Sequence, residues 1–281
     1  MEGRRTRLRQ YQRERRKFAC VSYTLTLMWL LVALVQWVLV SIIADINAVF
    51  IEFYWISLLF FFVAMVLVTV FIFFEKLRTV TCLNWLICLL IVEFVIVGIF
   101  TLAALTHWLE MVVWFFFSVF LLFVFILIGS IIPHDLTLDV VILFVLAFIF
   151  LIITVFFAMI SILVKMPNTF IVYQVFITIV VLLFVMYHAQ TINGGRYAEM
   201  RLNDYLLAAL ILFHDFIIIF LLTFFQQLII KFVAGSITTT TENIKKRAIS
   251  YFEPIIGPVS EDFIDDDDGI TAAFGNTTTT K

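Results

Sequence analysis

The sequence predicts an all-α integral membrane protein, a compact bundle of seven transmembrane helices, and three observations lead there. Of its 281 residues 64% are hydrophobic and 34 are Phe, with a mean hydropathy of +1.15, far outside the range of soluble domains. Seven apolar runs are each long enough to cross a hydrocarbon core, which needs roughly twenty residues. Charge is confined largely to the tails: Arg4, Arg5, Arg7, Arg9, Arg13, Arg15, Arg16 and Lys17 precede the first run, and Asp265 to Asp268 lie near the other end.

The runs fall at about 18–44, 48–74, 80–106, 108–132, 140–165, 168–192 and 205–229. Each is expected to be helical, because a helix satisfies its own backbone polar groups where no water is available. Residues 1–17 form a basic arm rather than the start of a cleaved signal, since the apolar run after them is too long and no small-residue cleavage pattern follows. The membrane domain is read as 18–230. From 231 to 281 the composition turns polar and acidic, with runs at Thr238 to Thr241, Asp265 to Asp268 and Thr277 to Thr280, so this tail is expected to be disordered. Four adjacent aspartates lack the alternating ligand spacing of a calcium loop.

Lys and Arg in short loops set orientation. The arm, the EKLR loop at 75–78 and the loop carrying Arg196 and Arg201 should share one side, the cytosolic one, and the loops at 44–48 and 105–110 the other. Seven crossings place the tail on the far side, although it carries Lys231, Lys245, Lys246 and Arg247. A full seventh crossing and a segment that dips in and returns both fit that pattern. Cys20, Cys82 and Cys88 lie in or beside apolar stretches and read as small hydrophobes.

Ionisable residues inside the runs are the functional candidates, because a charge in the bilayer is costly and normally faces the bundle interior with a partner. Asp215, about eleven residues into the last run, and Glu93, deep in ICLLIVEFVIVG, are expected to face inward. Glu52 and Glu110 sit near run ends, where reaching the interface is sufficient. His188 lies shortly before a short loop that makes its helix an antiparallel neighbour of the Asp215 helix. His214 and Asp215 point about 100° apart, so Asp215 is expected inward and His214 toward a neighbouring helix. His188 is about five residues from the loop and Asp215 about eleven. Contact between them requires the sixth helix to enter deeper or the seventh to start late.

The stretch YHAQTINGGRYAEMRLNDYLLAALILFHDFIIIF resembles the signature of the transmembrane BAX inhibitor motif family, which reads YDTQ, a glycine pair, a polar loop, E-[ED]-Y and AALNLYLDIINLF. Tyr187, Gln190, Gly194, Gly195, Asp204, Tyr205, Ala208, Ala209, Leu210 and Asp215 match it. Phe18, Tyr23 and the LTL at 25–27, the Glu93 to Gly98 spacing and PHDLT at 133–137 are similar to its other segments, and the likeness fits the Lifeguard branch over roughly residues 13–230. The resemblance implies seven helices in an endoplasmic reticulum or Golgi membrane, a pH-sensitive calcium leak and protection from cell death, with calcium ions and membrane proteins of cell-death control as partners. It further implies that position 188 and Asp215 form the ion pathway and pH-sensing pair, which in the family is two aspartates. His188 replaces the first of these, and Ile211 and Ile218 stand where the family has asparagine.

Two close carboxylates cannot both ionise and share a proton, whereas a histidine facing an aspartate favours an ion pair without net charge. The site should therefore attract cations less. Beside a leak, a non-conducting regulatory or scaffold role explains the thinned polar residues. A seven-helix receptor fits the span count but has no Asp-Arg-Tyr step after the third run. A zinc hydrolase drawing on His134, Asp135, His188, His214 and Asp215 lacks three converging ligands, and no enzyme activity is expected. The expected partner is the lipid bilayer, with no nucleic acid, cofactor or resident metal.

An N-terminal epitope is expected to be accessible from the cytosol in selectively permeabilised cells, on the strength of the eight basic residues before the first run. Access only after lumenal permeabilisation would reverse the orientation. A mobility shift on deglycosylation that is absent in Asn276→Gln would put the tail in the lumen.

Overall fold

The computed structural model describes residues 2–164 and 169–224, and every regular element within them is an α-helix. The chain divides into one unit spanning Met1–Ile230 and another spanning Lys231–Lys281. The expected disordered tail and the sequon at Asn276 fall outside the described residues.

Among the described residues ten helices follow one another: α1 (Glu2–Ile42), α2 (Ala44–Glu52), α3 (Tyr54–Phe73), α4 (Glu75–Thr79), α5 (Thr81–Gly98), α6 (Phe100–Ala104), α7 (Trp108–Ile131), α8 (Val140–Val164), α9 (Thr169–Asn193) and α10 (Tyr205–Phe224). Six candidate membrane spans occur among the described residues: α1, α3, α5 continued by α6, α7, α9 and α10. Helix α8 runs for 25 residues, but its fully described part is the shorter apolar stretch Val140–Phe150. The seven expected spans thus stand at six helices of the required length and apolarity.

Three boundaries differ from expectation. The basic arm is no separate segment: α1 continues it without a break for 41 residues, a rod of about 60 Å at about 1.5 Å per residue. The second run is divided at Phe53, whose backbone (φ −104°, ψ 45°) leaves the helical region. The third bends at Ile99 (φ −99°, ψ −3°), where the Thr101 hydroxyl donates to Phe50 O at 3.0 Å and pairs with the Ser57 hydroxyl at 2.8 Å. Those contacts draw the end of the third span toward α2 and α3.

Successive spans alternate in direction, so the connections gather at two ends of the bundle. One end holds the basic start of α1, α4, the 132–139 loop and the 194–204 loop; the other holds α2, α6 and the turn before α7. At the latter, Ser41 donates to Thr106 O at 2.6 Å and Asn47 to Ala104 O at 2.7 Å.

Helix α10 is the axis of the bundle. Buried positions make up 67% of its span, against 44% for the next most enclosed one. Trp37 of α1 stacks on Phe220 at 5.0 Å between ring centroids, Trp29 meets Phe213 edge-on, and Phe115 of α7 packs against both Phe216 and Phe220. Hydroxyls add local glue, since polar contacts and close packing replace the hydrophobic drive between helices in lipid. Thr26 donates to its own-helix Ser22 O and to Ala209 O of α10 at 3.2 Å, and the Ser118 and Thr223 hydroxyls meet at 3.0 Å. The buried face of α1 recurs at 15, 18, 19, 22, 26, 29, 30, 33, 37 and 40, the three-and-four spacing of a helix packed along one side.

Helices α7 and α9 approach closely at Gly129. A Cβ there would lie 2.7 Å from Met186 O and 2.8 Å from Met186 Cα. Gly129→Ala is therefore expected to force the two helices apart and lower the Tm in detergent, at an overpacking cost of about 1–3 kcal/mol. Val113→Ala, on the exposed face of the same helix, should leave the Tm nearly unchanged.

Candidate functional site

The two ionisable residues that prompted the question of contact do meet. His188 Nδ1 lies 2.7 Å from Asp215 Oδ2, a separation typical of a charge-assisted hydrogen bond. The Asp215 side chain is 8% exposed and that of His188 22%. The depth difference is resolved by the helix ends: Ile192, next to last in α9, shares a small cluster with Phe18, Ala19, Ala208 and Leu212. Helix α10 therefore begins about a turn farther out than α9 ends, and position 215 drops to the level of 188. The Phe184 and Tyr187 rings flank the imidazole at 6.3 and 5.5 Å between centroids.

Glu93 does not join them. It lies on an exposed face of α5, where Oε1 accepts from Gln36 Nε2 of α1 at 2.7 Å, which corrects the expectation that it faces the bundle interior. The physical reason is the partner: a neutral amide on the adjacent helix satisfies the carboxyl at the periphery, and no inward burial is required. His214, expected against a neighbouring helix, is bonded through Nδ1 to Leu210 O of its own helix at 2.8 Å. Its Nε2 is buried without a hydrogen-bond partner. Residue Glu52 is exposed, in keeping with its place at a helix end.

Above the pair lies a polar cap that fixes the loop between α9 and α10. Gly194 and Gly195 adopt φ of +74° and +77°, the left-handed conformation glycine supplies at a helix C-terminus. Arg15, only 4% exposed, donates to Thr191 O and Met200 O. The first is among the carbonyls a helix end leaves unpaired. A Cβ on Gly194 would come within 2.4 Å of Arg15 Nε, so the glycine also makes room for the cation. Tyr11 donates to Glu199, which also accepts from the Gly195 N–H. Burial pushes the Glu199 carboxyl up, but the Tyr11 and Gly195 hydrogen bonds and the Arg15 charge outweigh it and hold it below its ordinary value.

The remaining cap contacts bind this loop to the other connections at the same end. Gln190 accepts from the Leu136 N–H and donates to His134 O, both at 2.8 Å. Arg196 donates to Ile132 O and to Pro133 O at 2.8 Å. Asp135 accepts from the Thr137 hydroxyl at 2.6 Å and the Tyr197 N–H at 2.9 Å. The Thr137 bond, aided by Tyr197 and the Arg196 charge against a small burial effect, keeps its carboxyl below the usual range. Arg78 faces Asp204 at 3.6 Å, and Arg201 pairs with Glu75. All three basic segments expected on one side thus occupy one end of the bundle.

Sequence reasoning passed over Arg15 as one charge among many. The signal was present, because position 15 continues the buried stripe of α1 one turn beyond Ala19. Gln190 was singled out only as a signature match; nothing in the sequence placed its amide against the 132–139 loop, since that contact depends on the α7 and α9 packing. As chemistry, the 188/215 pair sets an imidazole nitrogen against a carboxylate oxygen at a distance at which the two can share a proton.

Loss of Asp215 should cost more than loss of Glu93. Asp215→Ala strands His188 in the interior, a penalty on the order of 3 kcal/mol for breaking a buried pair, and should lower both yield and Tm. Glu93→Ala, at an exposed helix face, should change either little. Comparable Tm losses in the two variants would remove the distinction between them.

No family model, curated protein or solved structure matches the chain.

Proposed function

We propose that the chain is a multi-pass protein of an endoplasmic reticulum or Golgi membrane, of the BAX inhibitor motif type and its Lifeguard branch, that leaks calcium weakly and acts in calcium homeostasis and cell-death control. The carrying observation is the 2.7 Å contact between positions 188 and 215. Those are the positions where the resembled signature puts its paired aspartates, and here Asp215 is buried and His188 partly buried between α9 and α10. A seventh crossing by α8 accords with its 25-residue length. The cytosolic N-terminus accords with the clustering of the arm, α4 and the 194–204 loop at one end.

A weak leak follows from charge. A carboxylate pair sharing one proton is singly negative, whereas an imidazolium paired with a carboxylate is neutral, so with His188 protonated a divalent cation loses the attraction of one negative charge. At about 4 Å and an effective dielectric of about 20 that charge is worth roughly 8 kcal/mol to a divalent ion. About a sixth of it changes occupancy tenfold.

A non-conducting regulatory or scaffold protein is the second reading, and one observation favours it. Immediately beyond Asp215, Phe216, Phe220 and Phe224 stack along α10 at 5.9 and 5.3 Å and close against Trp37 and Phe115. Between Asp215 and the Ser118–Thr223 hydroxyl pair, rings fill the space between α1, α7 and α10.

Calcium efflux from loaded vesicles holding the purified protein separates the readings. Native protein should leak slowly. His188→Asp should raise the rate roughly tenfold and make it depend on pH between acid and neutral, since it restores a proton-sharing carboxylate pair. His188→Ala, which leaves a lone carboxyl, should not reproduce that dependence. Native flux equal to that of His188→Asp at every pH would remove position 188 from conduction, and silence of both would leave the scaffold.

A further inference from the structure

A groove of about 380 Å³ lies between α1 and α7, outside the His188–Asp215 pair. That volume is within the range of about 300–1,000 Å³ usual for small-molecule sites. It opens toward the outer face of the bundle, where Leu27, Phe123 and Leu127 are 53%, 56% and 43% exposed. From Val119 to Ser130 its wall follows α7 for about 16 Å at about 1.5 Å per residue. None of its lining residues is charged.

The polar groups of the groove gather at one end. Tyr23 donates to Asn193 Oδ1 at 3.0 Å, Asn193 Nδ2 donates to the Ser130 hydroxyl at 2.6 Å, and Ser130 donates to Ile126 O. Among these three side chains the second Asn193 amide hydrogen is the one donor left unused, and the Tyr23 oxygen beside it is among the acceptors still open. A single alcohol uses both, donating to Tyr23 and accepting from Asn193. A phosphate diester has nothing to donate and meets no cation here.

We propose that this groove is a binding site for a membrane sterol, its hydroxyl on Tyr23 and Asn193 and its rigid ring system along Leu27, Val119, Phe123 and Leu127. An uncharged molecule with one hydroxyl at the end of a long apolar body fits the neutral lining, the length and the position of the polar cluster. Leu212 at the floor of the groove is one turn before Asp215, and Asn193 ends the helix that carries His188. Occupancy therefore bears on the helix pair that forms the buried site, although the binding itself does not depend on whether the protein conducts ions.

The test uses the full chain in phosphatidylcholine vesicles with a photoactivatable cholesterol analogue. Crosslinks should map to α1 and α7 peptides and be displaced by unlabelled cholesterol. A 3-keto sterol, which accepts but does not donate, should compete several-fold less well. Leu127→Trp, which fills the groove from its exposed rim, should reduce labelling roughly tenfold. Tyr23→Phe should erase the preference for the alcohol over the ketone. Absent competition by cholesterol, labelling unaffected by Leu127→Trp, a ketone preference unchanged in Tyr23→Phe, or equal labelling of the same peptides by a photoactivatable phosphatidylcholine would each overturn the proposal. The last result would mark the groove as ordinary lipid contact.

Discussion

A carboxyl group enclosed in the most deeply buried helix of an apolar bundle imposes conditions on everything near it. Asp215 needs a polar partner at its own depth, because an ionisable group left alone in such surroundings is costly. His188 meets that need only because α9 stops about a turn short of the start of α10. That offset in turn depends on the conformation of Gly194 and Gly195 and on Arg15, which donates to the Thr191 carbonyl at the end of α9 and to Met200 O in the loop. A local requirement in the core is thus propagated outward to a cation eleven residues before Thr26 on another helix.

The helical class, the placement of most spans and the gathering of basic segments at one end were all legible in the sequence. Composition and charge order decide these, and both are local properties of the chain. The depth match of His188 and Asp215 was not legible, since it is set by where α10 begins relative to α9. Glu93 shows a second limit. Depth along a helix is readable from the sequence, whereas the direction a side chain faces depends on neighbours, and Gln36 gave this carboxyl a partner at the periphery. The bend at Ile99 was hidden for a related reason, because Thr101 bonds to Phe50 and Ser57, about fifty residues earlier.

The two ends of the bundle are built differently. The end bearing the arm is held by charged and amide side chains reaching across between loops, among them Arg15, Arg196, Arg201 and Gln190. At the opposite end neutral side chains, Ser41, Asn47 and Thr101, cap backbone carbonyls. Salt screens exposed pairs such as Arg201 with Glu75, whereas neutral contacts have no comparable sensitivity. Ionic strength therefore acts on one end of the molecule and largely spares the other.

The axial position of α10 has a consequence for biosynthesis. It is synthesised after α1, α7 and α9, yet it supplies the surface on which all three pack. Until it emerges, the Trp37 and Phe115 rings have no Phe220 beside them, the Ser118 hydroxyl has no Thr223, and His188 has no carboxylate. The α3–α5, α7–α9 and α8–α9 pairs can pack before it arrives. The contacts of α1, α7 and α9 along this axis wait for α10, and a ribosome stalled within it would withhold all of them at once.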